Sequence, residues 1–131
     1  MKKILLMVLY IPILMTIIGG CTPDYKNKDP KIRKVAIEKI TDQNLLVKII
    51  FEDNDEFVRE AAVLRLTDQA LLSKIAIEHK IAEVRITAIN CLTDPVTLEK
   101  IVVNVNESIL LRQFANQKLQ KLTGVQKFSF K

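Results

Sequence analysis

The chain has 131 residues, enough for one small domain, and 49% of them are hydrophobic although tryptophan is absent. Its formal charge is +5; without Lys2 and Lys3 the balance is 18 Lys plus Arg against 15 Asp plus Glu, a well-mixed +3 with no one-sided basic stripe of the kind nucleic-acid binders carry. Two cysteines, Cys21 and Cys91, are too few for a disulfide-stapled scaffold, and the single histidine, His79, is too few for a histidine-based metal site.

In chain order, the first element is an address. Met1-Lys2-Lys3 is a short positive start, Ile4 to Ile18 is nearly continuous apolar sequence, and the composition turns polar after Gly19-Gly20-Cys21. A positive start, an apolar stretch and small residues at the junction describe a secretory signal over residues 1–20. Ile18-Gly19-Gly20-Cys21 resembles the lipobox of bacterial lipoprotein signal peptides. The resemblance implies cleavage before Cys21, a diacylglycerol on its sulfur and acylation (typically palmitate) of its new amino group. Two or three acyl chains anchor a protein stably to a membrane where one does not. Two other readings of the segment are an ordinary cleaved signal with an incidental cysteine and an uncleaved membrane helix. Residues 4–20 nearly reach spanning length, but Pro12 interrupts them. Thr22 in place of Asp is similar to the outer-membrane sorting pattern of enteric-type bacteria, which implies an outer-membrane location in a Gram-negative envelope. Residues 21–29 form a lipidated linker, and the stretch from Thr22 to Pro30 reaches at most about 30 Å, so the folded part rides close to the bilayer.

From residue 30 to 124 the chain repeats itself every 26 residues. Arg33, Arg59 and Arg85 share that spacing, as do Thr41, Thr67 and Thr93; Asp42, Asp68 and Asp94; Leu46, Leu72 and Leu98; Lys48, Lys74 and Lys100; and Ile49, Ile75 and Ile101. A fixed period is the signature of a repeat array. Counted from each arginine, apolar residues fall at −1, +3, +4 and +7: Val58, Ala62, Val63 and Leu66 in the second unit, for example. That is one stripe of a 3.6-period helix, with alanine in the middle where a neighbouring helix can approach. Thr-Asp then supplies N-cap oxygens for a second helix, whose core face is Leu46, Ile49 and Ile50 in the first unit and Leu72, Ile75 and Ala76 in the next. Polar turns at 52–55, 78–80 and 104–108 separate the units, the last with one extra residue. A degenerate fourth unit keeps Leu111-Arg112, Ala115 and Leu119, lacks Thr-Asp and stops at Gly124, as a terminal cap should. The expectation is an all-α short solenoid of about 3.5 hairpin repeats following the anchor segment. The tail, residues 125–131, alternates apolar and polar and would cover the last helix pair or offer a short edge to a partner.

Asp53 to Ala62 (Asp-Asn-Asp-Glu-Phe-Val-Arg-Glu-Ala-Ala) and Asp29 to Ala36 (Asp-Pro-Lys-Ile-Arg-Lys-Val-Ala) resemble the HEAT-repeat signature, an Asp-rich turn before Val-Arg-x-x-Ala-x-x-x-Leu, and the resemblance covers residues 29–123. The unit is shorter than a usual HEAT unit and the third lacks the Asp-rich turn before Val84-Arg85, so HEAT-like is the fitting name. In HEAT-like arrays charged columns commonly bridge adjacent repeats. The resemblance therefore implies an Asp–Arg ladder in which Arg33, Arg59 and Arg85 meet Asp42, Asp68 and Asp94.

Stacked repeats build surfaces, and surfaces bind. The expected activity is binding of a protein partner by a membrane-tethered envelope lipoprotein. Candidate contact rows are Lys48, Lys74 and Lys100, and the pair Lys39 and Arg65. An immunity-type, inhibitory or structural envelope lipoprotein is the alternative. An enzyme or small-ligand protein would need titratable groups clustered in a pocket, whereas the columns give spaced ladders. Neither a cofactor nor a metal is called for, no catalytic residue stands out, and no nucleic-acid partner is expected. His79, between Glu78 and Lys80 in a turn, reads as solvated surface. Cys91 breaks a basic column formed by Lys39, Arg65 and Lys118 and reads as a structural cysteine, the alternative being a free thiol that oxidises or pairs with a partner.

Overall fold

The structure is a computed structural model that describes residues 24–125; Cys21 and most of the C-terminal tail lie outside the described residues. Among the described residues seven helices follow one another: α1 (Pro30–Ile37), α2 (Gln43–Glu52), α3 (Glu56–Arg65), α4 (Gln69–Glu78), α5 (Ala82–Cys91), α6 (Pro95–Val103) and α7 (Ile109–Thr123). No strand occurs among the described residues.

Local chemistry sets the boundaries. The Asp42 and Asp68 side chains accept from the second and third N–H groups of α2 and α4, and Asp94 does the same for α6. The expected Thr-Asp caps are therefore in place. Asp29, Asp55 and Ser108 cap α1, α3 and α7, and Pro30 and Pro95 occupy first turns, where a missing N–H costs nothing. Only α5 starts without a side-chain cap, at Ile81. Gly124 ends α7 at φ +69°, a left-handed conformation that favours glycine.

The first helices of the units, α1, α3, α5 and α7, stack side by side, and each second helix (α2, α4, α6) packs most closely on the first helix of the next unit. This is a short all-α solenoid of two helical layers. Its core is the predicted stripe: Ala62, Val63 and Leu66 of the second unit, Ala88, Ile89 and Leu92 of the third and Ala115 and Leu119 of the fourth are buried, with Leu46, Ile50, Leu72, Ile75, Leu98 and Val102 from the second layer. Burying such side chains contributes roughly 1.5–3 kcal/mol each for Val, Leu or Ile. The −1 column shows where the array opens. Val58, Val84 and Leu111 are buried, whereas Ile32, in the first of the described units, is 45% exposed.

Candidate functional site: the side-chain columns

A fixed period brings equivalent side chains into rows, and the structure sorts those rows by what each touches. The Thr-Asp aspartates are consumed locally as helix caps, so the expected Asp–Arg ladder is not built from Asp42, Asp68 and Asp94. The acids that meet the arginines come from the turns before the next first helix. Arg33 donates through Nε and Nη2 to the two carboxylate oxygens of Asp53, both at 2.8 Å, and through Nη1 to the Asn27 carbonyl at 2.7 Å. Arg85 grips Glu107 through both Nη atoms and donates from Nε to the Ala76 carbonyl at 2.8 Å. Bidentate, charge-assisted bonds of this kind are about twice as strong as neutral ones. Burial pushes the Asp53 carboxyl up, but the hydrogen bonds from Arg33 and the Asp55 N–H, with the charges of Arg33 and Arg59, more than offset it and hold it below the usual range. Glu107 behaves alike: the bonds from Arg85 and the Ser108 N–H outweigh its burial.

The middle rung is different. Arg59 donates from Nη1 to the Asp53 carbonyl, matching the Arg33 bond to Asn27, yet its Nε is buried without a hydrogen-bond partner. The residue 20 positions on from Arg59, where Asp53 stands relative to Arg33, is His79. The expectation of a solvated histidine is wrong: His79 is 2% exposed, closes α4 and packs its ring on Phe51 at a centroid distance of 4.7 Å. The turn reverses tightly here, and Phe51 covers the imidazole.

A second set of bridges fixes register between units. The Gln43 Oε1 accepts from the Thr67 N–H at 2.9 Å, and the Gln69 Oε1 accepts from the Thr93 N–H and hydroxyl at 2.8 and 3.0 Å. The Ser73 and Thr97 hydroxyls add a contact at 3.1 Å. The threonine column was visible in the sequence; its partner was missed, although Gln43 and Gln69 are also 26 apart.

The two expected basic rows lie on different layers. Lys39 and Arg65 belong to the first-helix layer, and both are exposed. Arg65 donates to the Ile40 carbonyl at 3.3 Å, and Lys118, at the same repeat position, donates to the Asn90 carbonyl at 2.5 Å. These side chains reach back to the C-terminal end of the preceding first helix, where a cation is favourable. Cys91, at that position in the third unit, is half-buried; burial pushes its thiol up, with Lys118 opposing, which favours the protonated form.

Lys48, Lys74 and Lys100 all project from the second-helix layer into solvent, and Lys48 lies 3.9 Å from Glu52 across one turn. Three residues further on in each helix stand Phe51, Ile77 and Val103, which are 43%, 45% and 56% exposed. An i, i+3 spacing sets each apolar side chain beside its lysine. The outer face of α2, α4 and α6 thus carries an apolar row next to a basic row, both in step with the repeat.

Deeper features are few. A groove of about 300 Å³ lies between the N-terminal halves of α3 and α5, lined by Glu56, Phe57, Arg59, Glu60, Ile81 and Glu83 among others. Among the described residues no cluster of three or more His, Cys, Asp or Glu could hold a metal ion, and no helix is long and apolar enough to cross a membrane. No family model matches the chain, and no curated protein or solved structure is significantly similar to it.

Proposed function

We propose that the chain is a HEAT-like interaction module of a lipid-anchored envelope protein, and that it binds a protein partner through the outer face of its second helices. The observation that carries this reading is the pair of rows Phe51, Ile77, Val103 and Lys48, Lys74, Lys100. Apolar side chains spaced along a surface supply the desolvated anchors of an interface, and a flanking charged row supplies orientation and speed of encounter. Lys39 and Arg65 are left out of the surface, because they sit on the opposite layer and Arg65 serves the preceding helix end. The tether at Cys21 would hold the module near a membrane-bound partner, and the short linker limits how far it can range.

Crosslinked affinity capture from intact producing cells tests the reading, with Lys48, Lys74 and Lys100 all changed to Glu in the control bait. One dominant partner retained by the native chain and lost from the folded control is expected; the same captured set from both would remove these rows from function. The anchor has its own test. Cys21→Ser is expected to release the protein from the membrane fraction or leave an unprocessed precursor. A correctly processed variant that stays membrane-bound would show that Cys21 carries no anchor.

A further inference from the structure

The three ladder arginines differ in a way that isolates one joint of the array. Arg33 and Arg85 each close on a carboxylate, whereas Arg59 faces a turn that carries His79 in the acid's place. The imidazole takes over part of the acid's work. In the first joint the Asp55 N–H donates to Asp53 Oδ1 at 2.9 Å; in the second the Ile81 N–H donates to His79 Nδ1 at 3.1 Å. Both bonds span two residues and set the chain up to enter the next first helix. At the second joint this bond stands alone, because Ile81 gives α5 no side-chain cap.

The other ring nitrogen, Nε2, has no hydrogen-bond partner. Arg85 uses Nε on the carbonyl nine residues before it, Ala76. The carbonyl at that offset from Arg59 is Ile50, and His79 is the side chain that approaches it, though Nε2 stops short of good hydrogen-bond geometry. Arg59 Nε is left buried and unbonded. An acceptor Nδ1 fixes the neutral tautomer with its proton on Nε2.

We infer that His79 is an acid-sensitive latch between the second and third units, whose protonation releases the start of α5. The step is a proton from solvent added to Nδ1. It removes the lone pair that holds the Ile81 N–H, and it places a cation where the flanking joints hold an anion. The charged groups facing the ring are Arg59 from α3 and Lys80 from its own turn, both cationic; α2 offers the Phe51 ring and the Ile50 carbonyl, and α5 the Ile81 N–H. The Phe51 ring is the only feature of that surround besides a carbonyl that tolerates a cation, and at a 52° tilt it offsets little.

The direction of the effect follows from linkage. Burial first, then the Arg59 and Lys80 charges, hold His79 below its ordinary value in the folded state, with the nearby Ile50 carbonyl opposing in part. The latch is therefore whole above about pH 6.5 and weakens as pH falls below it, because the opened state binds the proton more tightly. The first joint, held by Asp53, stays closed through this range since its carboxyl titrates lower still. Acidification thus loosens one joint, the entry to α5 after α4, while the apolar packing between the two helices remains.

Amide hydrogen exchange on the full chain between pH 7.5 and 5.5 tests this, with rates corrected for intrinsic pH dependence. Protection of the Ile81 amide is expected to fall about tenfold by pH 5.5, the limit set by an ordinary histidine. Protection of the Asp55 amide is expected to hold. In His79→Asn, whose side-chain oxygen can accept the Ile81 N–H without titrating, the Ile81 change should vanish. Parallel behaviour of Ile81 and Asp55 in the native chain would overturn the latch. So would an equal loss at Ile81 in His79→Asn.

Discussion

Ala62→Asp is expected to unfold the array. Ala62 is fully buried on α3, which is flanked by α1 on one side and α5 on the other. Alanine at this column is what lets the first helices approach; Ala36, Ala88 and Ala115 hold the same place in their own units. Ala62 has no exposed surface, so a carboxylate there is cut off from solvent. An unpaired buried charge of this kind costs several kcal/mol, and overpacking adds about 1–3 kcal/mol. Total stability of a small domain is about 5–15 kcal/mol, and an array this short sits near the lower end. Because each unit is held only by its neighbours, damage to a central unit removes support from both sides. Ala70→Asp is the matched control: Ala70 is exposed in the first turn of α4, where a negative charge is tolerated, and its effect should stay within about 0.5 kcal/mol. Circular-dichroism melts of both variants decide the matter. A cooperative Ala62→Asp melt at the native temperature would show that α1, α3 and α5 do not stack as described.

Much of this architecture could be read before any coordinates, because a repeat writes its geometry into its period. The 26-residue spacing located every helix pair, the alanine column marked the close layer, and Thr-Asp marked the second-helix caps. The ladder was misassigned for a physical reason. Asp42, Asp68 and Asp94 form the only acidic column that keeps constant spacing, but an N-cap aspartate has its oxygens spent on backbone N–H groups one turn away. The acids that do bind arginine break the pattern. Asp53 lies 20 residues beyond Arg33 and Glu107 lies 22 beyond Arg85, shifted by the longer turn at 104–108, and the middle position holds a histidine. His79 was misplaced because its flanking residues are charged, and burial of a turn residue depends on what packs over it, here Phe51 from a helix 28 residues earlier. The apolar row Phe51, Ile77 and Val103 escaped notice for the opposite reason: hydrophobic residues near a core stripe read as core, and only their exposure on the second layer reveals a surface.

The reassigned ladder makes a quantitative demand on two aspartates that look alike in sequence. Asp53→Ala should cost about 1–3 kcal/mol and more than Asp42→Ala, which should cost about 1 kcal/mol. Asp53 receives two bonds from Arg33 and one from the Asp55 N–H, and its side chain is only 10% exposed. Removing it strands a guanidinium that is itself 15% exposed and undoes the entry to α3. Asp42 is exposed and accepts from the Asn44 and Leu45 N–H groups, which water can reach when the carboxylate is gone. Urea unfolding separates the two, and Asp53→Asn, which keeps an acceptor for Asp55 but loses the charge, should fall between them. The pH dependence carries the same signature. Asp53 and Glu107 have depressed carboxyl values in the fold, so their contribution is present above about pH 4 and is lost as pH falls through the folded values. Asp53→Ala should therefore flatten the acid limb of the stability curve. Equal costs for the two variants would return the ladder to the Thr-Asp column. Unequal costs in the order given would place the array's electrostatic register in its turns, where two joints are closed by carboxylates and the one between them by a histidine.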